Sequence, residues 1–210
     1  PWNLVNGILQ GGLGNGDFGL IFGNPGGGKS WSLVALGGHA VKCGYTVLHY
    51  TLELGEDYVG KRYDAFFTKI PVNKVDAHRD KIEEIIPQLP GTLIIKEYPM
   101  GKTTMSTIEA HIKKVTDLGM KPDLIIIDSL FTFVQEEKDV DFVNDKLKSF
   151  INHYGVSFLV VENCVCLDPP FGLSTVYVKK HDNDILIKSK DSANLHAELI
   201  QFNNNECVLN

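Results

Sequence analysis

The sequence predicts an α/β fold: a mostly parallel, twisted sheet with helices on both faces and antiparallel hairpins at its C-terminal side. Three observations predict it. Short apolar runs rich in β-formers recur between stretches with helical spacing, which implies right-handed strand–helix–strand units. One such run passes directly into a glycine-rich loop and then a helix. Roughly the last 40 residues abandon that alternation for short strand-like runs separated by the turn-rich segments HDND, DSAN and NNN.

The elements follow in order. Gly11-Gly12-Leu13-Gly14-Asn15-Gly16 reads as a loop, and Phe18 to Phe22 as a buried strand. After Gly23 to Ser30 a helix runs to about Cys43, where Gly44 is placed to stop it. Thr46 to Thr51 is a second strand. Between Glu56 and Ile70, Val59, Tyr63, Phe66, Phe67 and Ile70 form one helical face, closed by Pro71. A further helix is expected over Val75 to Ile86, and a strand over Leu93 to Lys96. Ser106 and Glu109 have the spacing of a capping box, with Ile108, Ile112 and Val115 continuing the stripe to Gly119. Asp123 to Asp128 is an apolar strand between two carboxylates, and Asp123, at its start, is expected to be a solvated turn residue. Val140, Val143, Leu147, Phe150 and Ile151 mark a helix ending near Gly155, before the strand Val156 to Val161. Thr175 to Val178, Asp184 to Lys188 and Ala197 to Phe202 are the hairpin strands.

The chain of 210 residues suits one domain, and no apolar run reaches the length of about 18 residues that a membrane span needs. Its net charge of -6 argues against broad coating of a nucleic-acid duplex, though not against a small basic channel assembled from several subunits. Cys43, Cys164, Cys166 and Cys207 lack the Cys/His spacing of a zinc site and fit a reduced, cytosolic setting. The first residue is Pro1, so the chain is expected to be a fragment of a longer protein.

The chemistry concentrates in Gly23-Asn24-Pro25-Gly26-Gly27-Gly28-Lys29-Ser30, which satisfies G-x-x-x-x-G-K-[ST] between a strand and a helix. Glycines let consecutive backbone N–H groups curl around a phosphate, and the helix N-terminus adds favourable partial charge. Lys29 is expected on the β- and γ-phosphates and the Ser30 hydroxyl on Mg²⁺. Asp128 closes an apolar strand, the position of the acidic residue that holds Mg²⁺. Glu53 follows the second strand, where strand ends converge on a ligand crevice; it is either a base for the attacking water or a cap for the next helix, as Glu56 and Asp57 equally are.

The segments GGLGNGDFGLIFGNPGGGKSWSLV, HYTLELGEDYVGKRYDA, GTLIIKEYP and PDLIIID resemble DnaB-class replicative helicases, especially those of tailed phages. The resemblance implies a RecA-like P-loop NTPase, one ATPase domain over residues 1–210. It makes Glu53 the catalytic base and adds Trp31, just after the loop, to the nucleotide-binding residues. Arg62 stands where the family has an arginine near the γ-phosphate; its alternative is a surface helix arginine paired with a carboxylate. Asn163 stands where the family has a glutamine that senses the γ-phosphate. Lys188 and Lys190 resemble a K-x-R element that reaches the neighbouring subunit's nucleotide. Lys190 replaces the arginine with a point charge that lacks the planar fork.

The resemblance implies ATP and Mg²⁺ as cofactors and single-stranded DNA as substrate. It also implies a homo-oligomer, expected as a hexameric ring, with primase or a helicase loader as partners and no membrane association. The loops expected to line the DNA channel, 129–140 and 164–174, hold one lysine, Lys138, while Lys179, Lys180 and His181 come slightly later. Two alternatives stay open: another RecA-like ATPase, such as a recombinase or a repair or regulatory ATPase, and a weakly catalytic nucleotide-binding assembly module.

Overall fold

The structure is a computed structural model and describes residues 13–23, 26–99, 103–129, 140–163, 175–181, 184–190 and 195–201. In chain order the elements are β1 (Phe18–Gly23), α1 (Lys29–Lys42), β2 (Thr46–Thr51), α2 (Glu56–Thr68), α3 (Arg79–Ile85), β3 (Thr92–Glu97), α4 (Met105–Asp117), β4 (Leu124–Asp128), α5 (Val140–Tyr154), β5 (Ser157–Asn163), β6 (Thr175–His181), β7 (Asp184–Lys190) and β8 (Leu195–Gln201). The strands form one sheet in the order β3-β2-β4-β5-β1-β6-β7-β8. From β3 to β6 every neighbouring pair is parallel, and β7 runs antiparallel to both of its neighbours, β6 and β8.

Alternating side chains send the strands into two cores. Val47, Ile126, Leu159 and Ile21 pack under α1 and α2 with Leu33, Val59, Tyr63 and Phe66. Leu48, Tyr50, Ile125, Ile127 and Phe158 pack on the other face with Ile108, Ile112, Leu147 and Phe150 of α4 and α5. Strands buried on both faces explain the unbroken apolar runs in β4 and β5.

α1 and α2 approach closely because Gly37 and Gly38 have no side chain there. A Cβ on Gly37 would strike the Tyr63 hydroxyl and lie 2.8 Å from Ile126 Cδ1, and one on Gly38 would strike the Phe66 ring. Gly44, at φ 93°, ends α1, since a left-handed residue costs glycine least.

Four expectations are corrected. The helix expected over Val75 to Ile86 is a 3₁₀ turn (Val72–Ala77), then α3, then a second 3₁₀ turn (Ile86–Gln88). His78 (φ −129°, ψ 42°) breaks it, with its Nδ1 on the Lys74 carbonyl at 2.9 Å. The cap of α4 is Thr104 with Thr107, not Ser106 with Glu109. Starting the helix there brings Met105, fully buried, into the core. Asp123 is not a solvated turn residue: its Oδ2 accepts from the Thr46 amide at 2.8 Å and its own amide donates to the Thr46 carbonyl at 2.9 Å, which ties the starts of β2 and β4 together. The first two hairpin strands run further than expected, to His181 and Lys190, and the third is shifted to Leu195–Gln201, because antiparallel pairing sets Lys190 opposite Thr175 and Leu195.

Candidate nucleotide site

The C-terminal ends of β1, β2, β4 and β5 lie side by side, the place where an open parallel sheet binds ligands. β1 ends at Gly23, whose register partner is Asn163 at the end of β5. β2 ends at Thr51, opposite Asp128 at the end of β4. Between β1 and α1, Gly26 (φ 72°) and Gly28 (φ 90°) adopt left-handed backbone, the geometry that turns successive amides toward one point. Ser32 seals the first turn of α1 through its amide (3.0 Å) and hydroxyl (3.2 Å), both on the Gly28 carbonyl. Asn24 and Pro25 lie outside the described residues.

Asp128 is buried and bonded to the Ser30 hydroxyl. Burial raises its pKa above the usual carboxylate range and Glu53 adds to the rise, while the Ser30 bond, Arg62 and Lys29 oppose it. A buried carboxylate with a hydroxyl and a lysine at a helix head fits Mg²⁺. That ion takes one or two carboxylates and completes its shell with phosphate oxygens and water, so it needs no all-protein cage.

Glu53 is exposed just past β2, and its Oε1 accepts from the Ser129 hydroxyl at 2.9 Å. Ser129 is itself buried and directly follows Asp128. The Leu52 amide donates to the Asp128 carbonyl at 2.7 Å. Two bonds therefore join the segment holding Glu53 to the segment holding Asp128. Glu53 does not cap α2. Glu97 at the end of β3 does so, with its Oε2 accepting from the Glu56 amide at 2.9 Å while Glu56 Oε2 accepts from the Glu97 amide at 3.0 Å.

Arg62 is not a surface arginine. It is 8% exposed, and its guanidinium carbon stands 4.6 Å from the Trp31 ring centroid and 4.7 Å from that of Tyr58. Beneath it His49 Nδ1 meets the Tyr63 hydroxyl at 2.8 Å, and burial, with Arg62 second, pushes the His49 pKa down to about 3. The structure thus brings together Gly26, Gly27, Gly28, Lys29, Ser30, Trp31, Glu53, Arg62 and Asp128 around one sheet edge. Asn163 joins them by register, while Lys188 and Lys190 lie on β7, two strands beyond β1. Of the expected DNA loops, 129–140 and 164–174, only Ser129 and Val140 are among the described residues, and Cys164, Cys166 and Cys207 lie outside them; Lys179, Lys180 and His181 end β6.

Ser129, Tyr58 and the His49–Tyr63 pair escape sequence reasoning. Tyr58 alone carries a legible signal, standing four residues before Arg62 on one helix.

Among the described residues no helix is long and apolar enough to cross a membrane. A family model described as an AAA domain matches residues 3–162. A DnaB-like replicative helicase of Enterobacteria phage T4 is 26% identical, over 60% of this chain and 29% of that protein. The chain thus spans under a third of the curated relative it matches. The solved structure of a DnaB-like replicative helicase, described with its interactions with primase, superposes with TM-score 0.75 at 12% identity, covering 98% of this chain and 61% of that one. A solved ATPase domain superposes with TM-score 0.72, also at 12% identity, covering 95% of this chain and 86% of that one. The matched model takes in well over half of these residues, and the chain belongs to the AAA-domain family, with a sequence and fold similar to those of DnaB-like replicative helicases.

Proposed function

We propose that the chain is the ATP-hydrolysing motor core of a DnaB-like DNA helicase, working in the cytosol of a bacterial or phage-infected cell. The observation that carries this is the pairing of Glu53 with Asp128. Two carboxylates with different environments sit on neighbouring strand ends, joined through Ser129 and opposite Lys29 and Ser30. Lys29 bears on the β- and γ-phosphates, and the amides of Gly26 to Ser30 hold phosphate oxygens. Ser30 and Asp128 would hold Mg²⁺, which supplies charge neutralisation on those oxygens. Glu53 keeps one oxygen on Ser129 and takes the proton of the attacking water on the other. Asn163 meets the γ-phosphate beside Gly23. Lys188 and Lys190 act on a neighbouring subunit's nucleotide in a ring, expected to be hexameric, that moves single-stranded DNA. Primase or a helicase loader are the expected further partners.

The test is the ATPase rate with and without single-stranded DNA, beside Lys29→Ala. Stimulation by DNA that vanishes in the variant is the expected result. Turnover indifferent to DNA would overturn the helicase assignment in favour of another RecA-like ATPase. Tight ATP binding without phosphate release would favour an assembly module, to which Lys190 in place of arginine already leans.

A further inference from the structure

These 210 residues contain two arginines, Arg62 and Arg79. Arg79 is exposed at the start of α3, among residues that face solvent. Of these two, Arg62 is the one whose planar guanidinium fork stands near the nucleotide site. That side chain is more than nine-tenths buried, and its Nε has no hydrogen-bond partner among the described residues. A buried donor without an acceptor is costly, and an acceptor brought by a ligand would relieve it. The guanidinium is fixed by two ring faces. One belongs to Trp31, which directly follows Ser30; the other belongs to Tyr58, one turn before Arg62 on α2. Tyr58 is 47% exposed, an aromatic ring with little packing reason of its own to sit there.

We propose that Trp31 and Tyr58 form an aromatic clamp that pre-orients Arg62 as this site's guanidinium in cis, and that Tyr58 is a positioning residue for it. The proposal rests on the nucleotide-binding function above and deepens it. Planar stacking suits a delocalised guanidinium and holds it without a carboxylate, which would neutralise the charge meant for phosphate oxygens. It also fixes the fork before the nucleotide arrives, so less ordering remains for the transition state. Because Trp31 adjoins Ser30, the clamp ties the arginine to the same helix head that carries Lys29. In this chain the trans position holds Lys190, so the planar donor of the site is the clamped residue.

The experiment uses Tyr58→Ala, Tyr58→Leu and Tyr58→Phe in the same chain, with two readouts. Without nucleotide, the Nε–H signal of Arg62 in proton–nitrogen NMR, one of only two such arginine signals, is expected sharp and shifted by the ring currents. Tyr58→Phe should keep it. Tyr58→Leu and Tyr58→Ala should broaden it or return it toward the Arg79 position. With Mg-ATP, the same two variants should lose about tenfold in kcat with KM for ATP within about twofold, and Tyr58→Phe should stay near wild type. Thermal melting shows which variants fold, and Tyr58→Leu, which keeps apolar bulk, serves if Tyr58→Ala does not. An unshifted Arg62 signal in the wild type, or a Tyr58→Leu protein with wild-type kcat, overturns the clamp. So does a Tyr58→Phe protein as impaired as Tyr58→Leu. A wild type that fails to bind or turn over ATP sinks the parent function instead, and leaves the NMR result to judge the clamp alone.

Discussion

Replacing Gly37 with alanine tests the close contact between α1 and α2, on which the position of Lys29 and Ser30 depends. The added methyl would overlap the Tyr63 hydroxyl and press on Ile126. Tyr63 has little room to retreat, being fully buried with its ring stacked on Phe67 at 6.1 Å. Overpacking of this kind costs about 1–3 kcal/mol. If Tyr63 tilts, its bond to His49 breaks and leaves two buried polar atoms unpaired, about 1–3 kcal/mol more. Alanine recovers roughly 1 kcal/mol of helix propensity. The net is a destabilisation of about 3 kcal/mol, or roughly 6–12 °C in Tm for a domain of this size. Thermal and urea unfolding measure it. Adding Tyr63→Phe removes the struck oxygen, so the double variant should lose less than the two single changes summed. A Gly37→Ala protein as stable as wild type, or strict additivity in the cycle, would refute the packing account.

Three further outcomes are expected. Glu53→Gln should bind ATP normally yet lower kcat by about 100-fold or more, measured by equilibrium binding beside phosphate release; unchanged turnover would remove Glu53 from the role of base. Asp128 has a folded pKa raised above the unfolded 3.8, so the folded state holds its proton longer and stability falls as pH climbs through that window. Asp128→Asn should therefore melt higher than wild type at pH 7 without nucleotide, lose that advantage near pH 3.8, and bind Mg-ATP poorly; a lower melting point at pH 7 would contradict the burial argument. His49 is depressed from 6.5 to about 3, so the unfolded chain takes up its proton first and stability is lost as pH falls below 6.5. At pH 5 the loss is about 2 kcal/mol relative to His49→Gln, and a His49 ring that titrates near 6.5 by NMR would exclude it.

The parallel core of the fold was legible because burial on both faces writes strands as apolar runs and helices as stripes, and Gly23 to Ser30 spells its own backbone geometry. What stayed hidden depends on distance in sequence. Ser129 serves Glu53 from 76 residues away, and the Asp123–Thr46 tie spans 77, so no local pattern announces either. In the sequence only the resemblance puts Arg62 near the site, since stacking between two rings leaves no carboxylate spacing to read. The cap of α4 is ambiguous in the sequence because Thr103, Thr104, Ser106 and Thr107 all qualify chemically, and burial of Met105 decides among them. His78 interrupts a run whose apolar spacing alone suits a continuous helix.

The order of the strands has a mechanical consequence. Phe22, Tyr177 and Lys188 stand in one row across β1, β6 and β7. Two strand spacings of about 4.8 Å separate the ends of that row, and hydrogen-bonded ladders stretch little. A tug on Lys188 thus arrives within about 10 Å at the residue before Gly23, the entrance to the phosphate loop. In the proposed ring, a subunit gripping its neighbour's nucleotide would load its own phosphate loop through the same row, so tension could travel around the ring one subunit at a time.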